Sequence, residues 1–600
     1  MRRSSLLLLG LGLGLGLGLV EAAAALAGTA AHLVNSRRGT AAEIWFVAPA
    51  VDGLAGLAAG ALAALGRRLR PALRWDAALV AAIAALGTYY VCRVPTFLFN
   101  DTAAILLGLG VAVQATRSVL RSPDRWEHAL RRGLPLLAGL PPLLAGAGLA
   151  ERRLAEARAI ARLPRPPEGA PNVLLLVMDT QRADRMSVYG YPRPTTPRLE
   201  QLAREGVRYA NASSASAWTL PSHASLFTGR QLHEHAAGLL DRQYLDRRYP
   251  TLAETLRAAG YATAGFAANV FWTGRHTGLQ RGFLHYEDFF GTLGDALVRT
   301  EIGRRLRYSV LPWFGWIDLP GRKRAPALNA RLLAWLDRIG DRPFFAFVNY
   351  FDVHSPYLPP PPYRGRFSGR RESPHPRGEV EVGRLAGDIE VPAGDSLAWL
   401  DDAYDESILF LDASIGALLD SLAARGLLDR TLVIVTSDHG EAHGEHGMMW
   451  HGNSLYRHQT WVPLILRLPG RVPAGAVVST PVGIEQIPAT VAGLVGTAPG
   501  VFPGPSLPLA GHEDGQILTL LARRSRTAAN WPASRGSLAA WTTRRWHYIE
   551  RDGRDPELFD LRVDPAETVN LARQAAFADT VARFRAALRE TLAGSKFPWP

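Results

Sequence analysis

The chain has 600 residues, too many for one ordinary domain, and 48% of them are hydrophobic. Its formal charge is +13, yet only Lys323 and Lys596 are lysines, and the arginines form no compact basic patch with interleaved aromatics, so nucleic acid is not an expected partner. The single cysteine, Cys92, excludes an intrachain disulfide framework and a thiolate metal cluster.

Met1-Arg2-Arg3 precedes an apolar run over residues 6–34, and further runs cover 42–65, 77–92, 94–115 and 133–149. Several approach the ~20 residues needed to cross a bilayer, which gives an expectation of five spans within residues 1–150. Arg67, Arg68, Arg70 and Arg74 lie between spans two and three, and Arg117, Arg121, Arg125, Arg131 and Arg132 between spans four and five. The first loop carries only Arg37 and Arg38, and the third little beyond Arg93. An N-inside, multi-pass layout obeys the positive-inside rule and leaves the rest of the chain on the extracytoplasmic face of the cell membrane. Arg152, Arg153 and Arg158 run against it, but a long domain translocates with little regard for charge. Ala-rich sites such as Ala23-Ala24-Ala25 keep a cleaved signal peptide open as an alternative, and cleavage would leave the large domain on the same side. The Leu-Gly alternation at residues 9–19 reads as low complexity, and residues 151–171, rich in Pro and Arg towards the end, read as a linker.

From residue 172 the pattern becomes that of a soluble α/β domain, expected over 172–510. Residues 172–178 are a near-continuous apolar run, as a strand buried on both faces would be, and the run delivers Asp179 at its end. Residues 197–206 read as a short helix, 251–259 as a helix and 261–268 as a strand. Residues 343–350 form a second buried strand leading to His354; residues 364–395 are polar and read as an irregular insertion. Helical periodicity returns over 404–422, a third buried strand over 431–437 runs into Asp438-His439-Gly440, and 462–466 is a fourth candidate. Residues 541–549, 557–561 and a helix over 575–593 suggest a small C-terminal α+β piece within 511–600; residues 512–535 carry no readable pattern.

Open α/β sheets gather ligands at the carboxyl ends of their strands, where Asp179, His354, Asp438 and His439 all fall. Two carboxylates, an imidazole and a threonine hydroxyl form an O/N cage suited to a divalent cation. Thr219 stands just before Leu220-Pro221, a pattern that places it at a helix N-terminus, where free N–H groups and the dipole favour an anion. A metal there would make the Thr219 alkoxide available near neutral pH. His354 and His451 are then candidates to bind the oxyanion or protonate the leaving oxygen. The bland alternatives are that Thr219, Asp179 and Asp438 only cap helices, that His354 is a loop residue, and that His443, His446, His451 and His458 mostly lie on the surface of a Gly-rich loop.

Val177-Met178-Asp179-Thr180-Gln181-Arg182-Ala183-Asp184, the run from Tyr189 to Pro197 and the run from Trp218 to Gly229 together resemble the sulfatase family. So do the run from Asp352 to Tyr357, Thr436-Ser437-Asp438-His439-Gly440, Val462-Pro463-Leu464 and the closing run from Glu557 to Leu571. The resemblance spans about residues 171–575 with the motifs in family order. It implies an alkaline-phosphatase-like mixed sheet flanked by helices, one divalent metal (Ca, Mg, Mn or Zn) on Asp179, Thr219, Asp438 and His439, and a nucleophile at Thr219. It also implies substrate contacts from His354 and His451.

Two departures bear on the chemistry. Sulfatases carry Cys or Ser at the Thr219 position, converted to formylglycine, and threonine cannot be converted in that way, so no formylglycine is expected. They also carry Arg where His223 stands, which makes His223 the candidate substrate-binding residue, and often a second Asp where Thr180 stands. A threonine ester must be resolved by attack on the central atom, which suits phosphorus better than sulfur. Threonine nucleophiles occur in the lipoteichoic acid synthases and phosphoethanolamine transferases, which also follow about five spans. The expectation is therefore a membrane-anchored, metal-dependent hydrolase of a phosphate-type, or else sulfate, ester. A lipid-headgroup transferase and a non-catalytic binding module are the rivals.

Overall fold

The computed structural model describes residues 3–30, 44–92, 100–239, 244–288, 300–311, 322–369, 394–497, 500–511, 513–524 and 529–599. They fall into two units, residues 1–158 with 289–322, and residues 159–288 with 323–600.

The first unit holds helices α1 (Arg3–Ala30), α2 (Ile44–Leu69), α3 (Trp75–Cys92), α4 (Asp101–Arg121) and α5 (Pro123–Ala161), each long and apolar enough to cross a membrane. The Leu-Gly alternation has a structural use. A helix brings Gly10, Gly14 and Gly18 to one face at four-residue spacing, and that face lies directly on the α2 backbone. A Cβ on Gly10 would stand 2.1 Å from the Gly56 carbonyl oxygen, and one on Gly14 2.2 Å from that of Asp52. Small residues thus let the two backbones touch. Leu106, Leu136 and Leu143 of α4 and α5 stay exposed. Helix α5 continues through Ala161, so the irregular part of the expected linker is residues 162–171. Residues 300–311 also belong to this unit, which no pattern in the sequence announces; there Thr300 caps the helical turn Glu301–Arg305, and the Glu301 N–H donates to Glu21 of α1 at 2.8 Å.

The second unit is built on an eight-stranded mixed sheet of β1 (Asn172–Met178), β2 (Val207–Tyr209), β3 (Ala262–Ala267), β4 (His285–Glu287), β5 (Phe344–Tyr350), β6 (Thr431–Thr436), β7 (Leu464–Arg467) and β8 (Ala476–Val478). The order is β8-β2-β7-β6-β1-β5-β3-β4, with β6, β1, β5, β3 and β4 mutually parallel and β7 antiparallel to β6. All seven residues of β1 are buried, as its unbroken apolar run requires of a central strand covered on both faces. Helices α6 (Pro197–Arg204), α7 (Thr219–Thr228), α8 (Leu252–Ala258), α9 (Ala325–Ile339), α10 (Asp395–Ala424) and α11 (Ile487–Val495) flank the sheet. Val173, Leu175 and Val177 of β1 point to one side, into a core shared with Leu220 and Phe227 of α7, Leu256 of α8 and Val491 of α11. Helix α9 packs on β3 and β5, and α10 packs on α6 and α9.

Helix α10 is also membrane-length and apolar, but it belongs to this unit and keeps Asp405, Glu406 and Asp412 buried. Asp412 accepts the Arg198 and Leu199 N–H groups at 2.9 Å each, closing the N-terminus of α6. That charge pattern marks α10 as a core helix. Of the expected insertion at 364–395, residues 370–393 lie outside the described residues.

The C-terminal piece is an antiparallel sheet of β9 (Ile517–Leu521), β10 (Leu538–Thr542), β11 (Trp546–Arg551) and β12 (Arg554–Asp560), followed by α12 (Ala578–Leu592). Residues 541–549, read as one segment of the α+β piece, are split by a turn that Thr543 closes through its N–H to the Trp546 carbonyl, at 2.8 Å. The unreadable stretch at 512–535 supplies β9 and a helical turn, Pro532–Arg535.

Candidate active site

Parallel strands β1, β5 and β6 end side by side, and the residues that follow them meet α7 across the sheet edge. Asp179 follows β1 and is fully buried. Its Oδ2 accepts from the Asn269 side-chain amide at 2.9 Å and from Asn349 at 3.3 Å, while its Oδ1 has no hydrogen-bond partner. Asp438 lies just beyond β6; its Oδ1 accepts the Thr180 and His439 N–H groups at 3.2 and 2.9 Å, and its Oδ2 is likewise without a hydrogen bond. Thr180 holds a positive φ of 62°, a costly conformation for a threonine, and its hydroxyl donates to the Val353 carbonyl at 2.8 Å. The strained residue aims its N–H at Asp438.

Asp179, Asp438 and His439 each offer one ligand atom within 4.8 Å of the others. Burial, and then the Asp438 charge, hold the Asp179 carboxyl well above the usual carboxylate range, and burial raises Asp438 to about 7. Two buried carboxylates with one orphan oxygen each are an arrangement that a cation relieves. The His439 Nδ1 lies 3.0 Å from the Gly440 carbonyl, and donation there leaves Nε2 with its lone pair for a ligand, as metal-binding imidazoles are commonly oriented. The donor set, two oxygens and a nitrogen, suits a divalent ion.

Thr219 is the first residue of α7, and its Oγ1 lies 3.2 Å from His439 Nε2. Around this pair the histidines converge. The His451 ring centroid is 4.4 Å from that of His439 and 5.2 Å from that of His354. His451 Nδ1 meets the Glu441 carboxylate at 2.9 Å, and His354 Nδ1 meets the Ser355 carbonyl at 2.7 Å. Burial lowers the pKa of His439 and, further, that of His451, where His439 and Arg524 add to the effect.

His223 lies one turn behind Thr219, fully buried, its Nδ1 on the Thr219 carbonyl at 2.9 Å and 3.6 Å from Asp438 Oδ2, its ring edge-on to Phe227 and Phe347. Its Nδ1 touches the backbone of the candidate nucleophile. In the Gly-rich loop His446 is exposed, whereas His443 and His458 are buried, against the expectation that these histidines mostly lie on the surface. His443 bonds Tyr357 and Asp401, each at 3.0 Å, and His458 lies beside Gln459.

Sequence reasoning did not single out Asn269, Asn349, Glu441 or Arg524. Asn269 and Asn349 each stand at the carboxyl end of a parallel strand, so the rule that found Asp179 would have found them too. Glu441 is two residues beyond His439. Arg524 carried no local signal.

The comparisons agree with this fold. The sulfatase family model matches residues 171–497. The multifunctional alkaline phosphatase superfamily protein PehA of Trinickia caryophylli is 26% identical over 488 residues, covering 68% of this chain and 93% of that protein. The choline-sulfatase of Rhizobium meliloti is 26% identical over 455 residues, covering 67% and 83%. The crystal structure of the phosphonate monoester hydrolase of Agrobacterium radiobacter superposes with a TM-score of 0.54 at 21% identity, covering 70% of this chain and 95% of that one, which speaks for the fold. With more than half the chain matched and the strand-end constellation in place, the protein belongs to the sulfatase family of metal-dependent ester hydrolases.

Proposed function

We propose that this protein is a membrane-anchored hydrolase that cleaves a phosphate-type ester through Thr219, with its second unit on the extracytoplasmic side. The observation that carries the reading is Thr219 Oγ1 at the first position of α7, 3.2 Å from His439 Nε2 and beside two buried, half-satisfied carboxylates. The five membrane-length helices and the arginine distribution of their loops support the anchoring. The similarity to a choline-sulfatase and to a phosphonate monoester hydrolase supports esters of sulfur or phosphorus, and a plain threonine favours phosphorus.

Asp179, Asp438 and His439 would hold one divalent ion, through the two orphan carboxylate oxygens and the imidazole Nε2. When bound, such an ion lowers the proton affinity of a neighbouring hydroxyl and offsets negative charge on the ester. Thr219 Oγ attacks phosphorus as the bond from phosphorus to the leaving alcohol breaks, giving a phosphothreonine. The hydroxyl proton travels to the departing oxygen by way of His451 or His354. With Nδ1 committed to Glu441, His451 turns Nε2 towards this exchange. Water then attacks phosphorus, the Oγ–P bond breaks, and a proton from water restores the threonine hydroxyl. His223 steadies the first turn of α7 from behind.

A second reading, transfer of a lipid headgroup, is favoured by the membrane helices carried in the same chain. Both readings share the phosphothreonine. The test is intact mass on the full chain in detergent with a divalent metal and an aryl phosphodiester, quenched fast, with Thr219→Ala alongside. A phosphoryl adduct on Thr219 that vanishes in the variant is the expected result. Equal turnover by Thr219→Ala would remove Thr219 as the nucleophile, and adduct transfer to an alcohol in preference to water would favour the transferase.

A further inference from the structure

We propose that Tyr357 is a positioning residue: its hydroxyl holds the Glu441 carboxylate against His451 and so keeps His451 aimed at the leaving oxygen of the ester. This rests on the reading of His451 as the group that passes the proton to that oxygen, and it names what stands behind it.

Hydrogen bonds run without a break from the site to α10. His451 Nδ1 meets Glu441 Oε1 at 2.9 Å, and Glu441 Oε2 accepts the Tyr357 hydroxyl. The same hydroxyl lies 3.0 Å from His443 Nε2, and His443 Nδ1 lies 3.0 Å from Asp401 Oδ1. The Arg185 guanidinium donates to Asp401 and anchors the far end. Tyr357, Glu441 and His443 are all buried.

Tyr357 follows β5 and Glu441 follows β6, strands that β1 separates, so their bond spans the end of the central strand. The rest of the arrangement is held from elsewhere. The Glu441 carbonyl accepts from Arg182 Nη1 at 3.0 Å. Tyr404 of α10 packs edge-on to the Tyr357 ring at 5.1 Å and to the His443 ring at 4.6 Å. Its own hydroxyl accepts the Arg182 N–H at 2.9 Å and donates to the Thr180 carbonyl at 2.8 Å. A phenylalanine at 357 would keep the ring packing; the hydroxyl adds the grip on Glu441. A carboxylate in so dry a place needs a donor on each oxygen, and here one is the tyrosine O–H and the other the imidazole. Donation from His451 Nδ1 fixes the tautomer and leaves Nε2 for the proton exchange. Without the hydroxyl, one Glu441 oxygen is orphaned and the carboxylate can tilt away from His451.

The test compares methyl phenyl phosphate with methyl 4-nitrophenyl phosphate as substrates of the full, metal-loaded chain in detergent. Phenolate departs poorly unless protonated, whereas 4-nitrophenolate departs readily without a proton. The quantity read is kcat/KM, which covers the step in which the phenol leaves, and the ratio of the two esters cancels a change in binding common to both. Tyr357→Phe should lower kcat/KM roughly 10- to 100-fold for the phenyl ester, the range for a lost charge-assisted hydrogen bond, and less than about threefold for the nitrophenyl ester. Metal affinity and Tm should be unchanged. His443→Ala should show the same pattern more weakly, and His443→Gln, which keeps a polar nitrogen near the hydroxyl, should recover part of it. An equal loss on the two esters in Tyr357→Phe, or a phenyl-ester value within about twofold of the parent, overturns the proposal; if that variant does not fold, His443→Ala decides by the same two criteria. His451→Ala checks the underlying reading. The leaving-group pattern in His451→Ala without one in Tyr357→Phe sinks this inference alone, whereas equal losses in His451→Ala sink both. A parent that cleaves neither ester also overturns both.

Discussion

Asn269→Ala is the most direct probe of how the site would hold a divalent metal. The Asn269 amide donates to Asp179 Oδ2 at 2.9 Å, with both residues almost wholly inaccessible to water. A buried hydrogen bond to a charged group is worth about 1.5–3 kcal/mol, and Asn349, at 3.3 Å, makes only a weaker substitute. Removing the amide leaves the carboxylate oxygen less satisfied and the group less able to stay ionised and aligned. At ~1.4 kcal/mol per tenfold, metal affinity should fall roughly 10- to 100-fold, the range seen when partners behind a metal ligand are lost. Both Asn269 and Asn349 hold the Asp179 pKa down against burial and the Asp438 charge. Protons therefore compete better in the variant, and its deficit should widen as pH falls. The assay is calorimetric titration of divalent metal into the full chain in detergent at several pH values, with Tm measured in parallel. Metal affinity within twofold of the parent at every pH, or a fall in Tm without a fall in affinity, would refute the reasoning.

Two further outcomes are expected. Burial raises Asp412 from 3.8 to about 7, above its unfolded value, so its contribution to stability is full below pH ~4 and is lost as pH rises towards 7, on the order of 4 kcal/mol at the limit; Asp412→Asn should therefore flatten the Tm-against-pH curve in that window, and parallel curves would contradict it. Gly14→Leu would drive a side chain into the Asp52 carbonyl, so α1 and α2 should separate and the yield of folded protein in detergent should drop sharply, whereas Gly16→Leu, with open space around it, should be tolerated.

Much of this architecture is written locally. Unbroken apolar runs marked β1, β5 and β6 because a strand covered on both faces has no polar side to show, and the residue delivered at the end of such a strand was legible with it. The membrane-length helices were legible for the same reason, though α10 shows that length and apolarity alone do not separate a span from a core helix; its buried carboxylates, Asp412 held by α6 among them, do. What the tertiary structure decided is which polar groups meet. Asn269 reaches Asp179 across 90 positions, Thr219 reaches His439 across 220, and Arg524 arrives from a loop with no pattern of its own. The glycines of α1 read as low complexity until α2 lay against them. His223, read as a substrate contact from its place in a motif, lies one helical turn from Thr219 with its Nδ1 on the Thr219 carbonyl, a partner no motif spells out. Periodicity and strand-end polarity are properties of a segment, and a segment can carry them alone. The partner that satisfies a buried oxygen is a property of the packed fold, set by strands and loops that are distant in the chain and adjacent only in space.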